Sequence, residues 1–116
     1  MAEGDIAVVV AFNDAINAQD LDGLTRLMAS DHRFVDAAGS AVEGKEACGS
    51  AWRSFFDAFS DYRNVFDRIA GGAPGHVVVD GRSECSEELL RGPARWHVVV
   101  SDGRVVVEWL VEDPAS

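Results

Sequence analysis

Residues 17–39 read NAQDLDGLTRLMASDHRFVDAAG, and the stretch changes from helix-forming to strand-forming residues within a few positions. Asp20 is a good N-cap for a short helix, whose apolar stripe consists of Leu21, Leu24, Leu27 and Met28. Phe34 and Val35 then have the composition of a buried strand, and Asp36 follows them directly. An ionised carboxylate among apolar neighbours costs desolvation energy, so Asp36 is either a local cap or an acid/base group with a raised pKa.

Helical and strand patterns lie on either side of this stretch. Apolar residues at three- and four-residue steps predict a first helix over 5–17 and a third over 44–59. After Asp61 the sequence is rich in Val and is broken by Gly, Pro and Asp, which predicts strands over 62–70, 76–87, 94–100 and 104–111. The sequence therefore predicts an α+β fold in which three N-terminal helices pack on a curved antiparallel sheet.

Length and charge restrict the possible partners. The 116 residues fit a single domain, 1–116, and carry 20 acidic against 10 basic side chains, a formal charge of −10. Such a charge repels phosphate backbones and anionic lipid surfaces, so we expect neither nucleic acid nor membrane as a partner. Without a long apolar span or a signal sequence the protein is expected to be cytoplasmic. Nine of the ten basic residues are Arg, which hints at a bacterial source.

Several kinds of catalytic site are not indicated by the sequence. The two cysteines, Cys48 and Cys85, lack metal-ligand spacing and are expected to be buried thiols. The three histidines are too scattered to predict a zinc site. The chain has neither a Gly-rich phosphate loop nor a nucleophile elbow, so we expect no cofactor and no metal.

The last two strands can be aligned from their turn. Asp102-Gly103 is the preferred pair for a two-residue hairpin turn, and a regular register would place facing pairs on two sides of the sheet. One side would carry His97 opposite Glu108, beneath the helices. The other would carry the apolar pairs Trp96 with Trp109 and Val98 with Val107. An exposed apolar surface of this kind predicts a homodimer through the outer face of the sheet.

The order of elements, and residues 17–39 above all, resembles the nuclear transport factor 2-like superfamily, in its SnoaL-like and ketosteroid isomerase-like branch. This resemblance implies a cone-shaped α+β barrel around a pocket, and it puts Asp36 at the position of the general base of ketosteroid isomerases. Phe12 stands where those enzymes have a Tyr, and Arg95 falls at or near their second Asp. The two donors that stabilise a steroid dienolate are therefore absent from these positions.

The residues and the resemblance together define a candidate site. Asp36, His97 and Glu108 are the predicted catalytic groups, although the histidine and the glutamate also fit a simple cross-strand neutral pair. The predicted contacts to a small apolar substrate are Phe12, Trp52, Phe56, Tyr62 and Arg95; aromatic residues at helical spacing are also typical of plain core. His32 is expected to be exposed.

The interpretation is a small-molecule pocket protein, a cyclase or isomerase that transfers protons on an apolar carbonyl substrate. The alternative is a non-catalytic ligand-binding or dimerisation domain of the same fold.

Overall fold

The computed structural model describes the backbone of residues 2–35 and 39–112, and the side chains of these residues except 2, 3, 89 and 107–112. The described residues form three α-helices, six strands and one turn of 3-10 helix over Glu88–Leu90. In chain order the elements are α1 (Ala2–Ala18), α2 (Leu21–Arg26), β1 (Met28–Val35), β2 (Ala41–Glu43), α3 (Lys45–Ala58), β3 (Arg63–Gly71), β4 (His76–Glu84), β5 (Gly92–Ser101) and β6 (Arg104–Glu112).

The six strands form one sheet in the order β2-β1-β6-β5-β4-β3. Neighbouring strands are antiparallel except β1 and β6, which run parallel with Met28 opposite Val105. The predicted α+β class is confirmed, but the sheet is mixed, and the short strand β2 was not predicted. Met28 begins β1 instead of ending the second helix, because α2 stops at Arg26 and the backbone N–H of Val105 bonds to the carbonyl of Leu27 at 2.7 Å.

The core lies between the helices and the face of β5 that carries Trp96. Ala94, Trp96, Val98 and Val100 are all buried, whereas the residues that alternate with them are half-exposed. The Trp96 ring packs against Phe66 with 5.4 Å between ring centroids. The predicted assignment of faces is therefore wrong: Trp96 and Val98 do not lie on an outer surface, because the helices cover their side of the sheet.

The hairpin between β5 and β6 begins as predicted and then departs from a regular register. Asp102 and Gly103 have φ values of 53° and 74°, as this turn requires, and Val100 faces Val105. Two irregularities follow, so that Trp96 faces Val111, His97 faces Leu110 and Val99 faces Val107. The predicted pairs Trp96–Trp109, Val98–Val107 and His97–Glu108 are therefore wrong, since each inserted residue shifts the partner strand.

Helix α1 is fixed to the edge strand β3 by side-chain amides. Asn13 Nδ2 and Asn17 Nδ2 donate to the carbonyl of Asn64 at 3.1 and 2.9 Å, and the Asn64 N–H donates to Asn17 Oδ1 at 2.8 Å. These bonds hold the helix across the sheet. No helix within the described ranges is long and apolar enough to cross a bilayer.

Candidate functional site

Strand β1 brings one face of its side chains into the interior. His32 is fully buried and Phe34 is half-buried, while Asp31 before His32 and Arg33 between the two are exposed. This is the alternation of a strand with one covered face. Residues 32 and 34 therefore form one side of an interior aromatic cluster, with Phe12 of α1 against His32 and Trp52 of α3 against Phe34.

Aromatic side chains from α3 form the second side. The Trp52 ring makes edge contacts with Phe34 and Phe55, each with 5.7 Å between centroids, and a tilted contact with Phe56 at 5.5 Å. Trp52 and Phe56 are each 7% exposed, so they belong to the core as well as to the candidate site. Tyr62 meets the same group through Phe55, with ring centroids 4.7 Å apart.

His32 and Phe12 meet where β1 crosses α1. Their ring centroids are 5.7 Å apart, and both residues are completely buried. His32 Nδ1 lies 2.9 Å from the carbonyl oxygen of Val105, and Nε2 has no hydrogen-bond partner. Burial lowers the pKa of His32 below its ordinary value, which outweighs the opposing effects of the Val105 carbonyl and Asp31. The expectation that His32 is exposed is wrong.

A buried polar network lies between α1 and strands β3 and β4. The Tyr62 hydroxyl is 3.1 Å from Ser83 Oγ, which donates to Asn64 Oδ1 at 2.9 Å. Burial raises the pKa of Tyr62, so its phenol remains protonated over the physiological range. Two atoms of the network, Asn13 Oδ1 and Asn64 Nδ2, are buried without hydrogen-bond partners. The sequence did not predict this network.

Arg95 and His97 lie on the opposite, outer face of the sheet. Both alternate with buried residues of β5, and Arg95 Nε donates to Asp80 Oδ1 at 2.6 Å. The hydrogen bond from Arg95 holds the pKa of Asp80 below its usual range, with Arg68 and His97 adding to the effect. The sheet thus separates Arg95 and His97 from Phe12 and Trp52, which the prediction had placed with them in one site.

Two predicted catalytic residues and one predicted interface residue lie wholly or partly outside the described residues. Asp36 lies outside the described residues, directly after the end of β1. Glu108 and Trp109 belong to β6, but their side chains are outside the described part. Their predicted roles stay predictions.

The described residues also outline two surface clefts, each of about 580 Å³. One lies between α2 and α3 beside Thr25 and Gly49, and the other lies beside Ser83 and Cys85. Neither is lined by His32. No group of three or more His, Cys, Asp or Glu side chains in the described ranges is arranged to hold a metal ion.

The sequence matches the SnoaL-like domain over residues 9–115. The chain belongs to the SnoaL-like domain family. This confirms the resemblance seen in residues 17–39 and puts the chain in the nuclear transport factor 2-like superfamily. No curated protein sequence matches this SnoaL-like domain significantly.

Solved structures share the fold of this SnoaL-like domain. An LEH-like epoxide hydrolase from M. tuberculosis superimposes with a TM-score of 0.83 at 18% identity, covering 96% of this chain and 83% of the other. A candidate ketosteroid isomerase from Kribbella flavida gives 0.78 at 18% identity, covering 96% and 76%. A candidate polyketide cyclase from Sinorhizobium meliloti gives 0.78 at 20% identity, covering 91% and 92%. At these identities the likeness is one of fold.

Proposed function

We propose that this SnoaL-like domain binds a small apolar carbonyl compound and transfers a proton on it, with Asp36 as the acid/base group. The observation that supports the proposal is the inward face of β1, where exposed Arg33 separates buried His32 from half-buried Phe34. Asp36 follows at the next two-residue step after His32 and Phe34. If the alternation continues past Val35, its carboxylate joins the aromatic site.

An acid/base role follows from such surroundings. A carboxylate near Phe34 and Trp52 would lose hydration, which raises its pKa above the unperturbed value of about 3.9. A carboxylate with a raised pKa is a stronger base and is better suited to abstract a proton next to a carbonyl. A well-placed general base of this kind accelerates a reaction about 10²- to 10⁴-fold. The fold neighbours include a candidate isomerase and a candidate cyclase, whose names describe chemistry of this class.

Activity of the steroid isomerase kind is not part of the proposal. The resemblance puts Phe12, which has no donor, where those enzymes have a Tyr, and Arg95 lies on the outer face bonded to Asp80. A dienolate would find neither of the two usual donors.

The test is Asp36→Asn, assayed against a panel of ketones and enones that stabilise the protein on heating. We expect turnover to fall at least about 100-fold while the melting temperature stays unchanged. Asp31→Asn is the matched control, because Asp31 is an exposed carboxylate of β1. Full activity of Asp36→Asn would contradict the proposal, and unfolding of that variant would favour the capping role.

A non-catalytic ligand-binding or dimerisation domain is the second candidate. The half-exposed valines on the outer face, Val78 and Val99, support a homodimer through that face. We expect a dimer in light scattering at micromolar concentration, and Val99→Glu should convert it to a monomer because a charge would lie in the contact. A monomeric wild-type protein would exclude this assembly.

A further inference from the structure

We draw no further inference here: the strongest candidate, the surface cleft of about 580 Å³ between α2 and α3 that Lys45, Glu46 and Arg53 line, carries nothing, because its charged side chains are of both signs, none of them is buried, and nothing in the structure shows what would occupy it.

Discussion

Protonation of His32 is expected to couple the stability of the protein to pH. Burial lowers the pKa of the folded imidazole, so between that value and the unfolded value of about 6.5 the unfolded chain binds more protons. Stability is therefore complete above about pH 6.5 and is lost as the pH falls below it. Urea denaturation at pH 7.5, 6.5 and 5.5 should show the loss in the wild-type protein and a flatter profile in His32→Phe.

The buried position of His32 was predictable from the local sequence, but its contact with Val105 was not. Residues 31 and 33 are charged and residues 32 and 34 are not, and this alternation alone puts the histidine on the covered face with Phe34. The bond that fixes its ring was not predictable, because it joins Nδ1 to the carbonyl of Val105, 73 positions away. Chemistry at single residues depends on such long-range contacts, which local pattern does not encode.

At the scale of elements, the amide contacts of α1 should be measurable as stability. Asn17→Ala removes two hydrogen bonds to the backbone of Asn64 and leaves a buried N–H unpaired. We expect the free energy of unfolding to fall by about 1–3 kcal/mol. Asp14→Ala, at an exposed site on the same helix, is the control and should change it little. Equal effects of the two changes would mean that the contacts do not hold the helix.

Close approach of β3 and β4 requires a glycine at residue 81. A Cβ there would clash with the carbonyl oxygen of Val65, beside the irregularity in the pairing of these strands. We expect Gly81→Ala to destabilise the protein by about 1–3 kcal/mol in chemical denaturation. Gly72→Ala serves as the comparison, since its Cβ would make an ordinary contact of 3.8 Å. A neutral Gly81→Ala would show that β3 moves aside freely.

Apart from the short strand β2, the element types were predictable from the sequence, whereas the β5–β6 register was not. The three helices carry three- and four-residue periodicity, and the Asp102-Gly103 turn determines its own conformation. Beyond the turn, Val98–Val100 and Val105–Val107 put apolar side chains on both faces. A slip of one residue then exchanges one valine for another, so neither the register nor the covered face is encoded by composition.

At the scale of the whole molecule, substitution of Trp96 tests whether its face of the sheet lies in the core or in an interface between two copies of the chain. We expect Trp96→Ala to cost about 3–5 kcal/mol of folding free energy, because it leaves a cavity beside Phe66. The loss should not depend on protein concentration, as it would if Trp96 lay between two copies of the chain. Val99→Ala, on the outer face, is the matched comparison. If the loss of folding free energy in Trp96→Ala depended on protein concentration, Trp96 would lie in an interface between two copies of the chain.

The parallel pairing of β1 with β6 has a consequence for how the protein is made. A ribosome adds roughly 5–20 residues per second, so β1 emerges several seconds before its neighbour in the sheet exists. Through that interval the nascent chain has only the three residues of β2 to cover one edge of β1, and the other edge stays open. During this time the open edge of β1 can pair with strands of other chains. The risk of mispairing ends when β6 leaves the ribosome and pairs with β1.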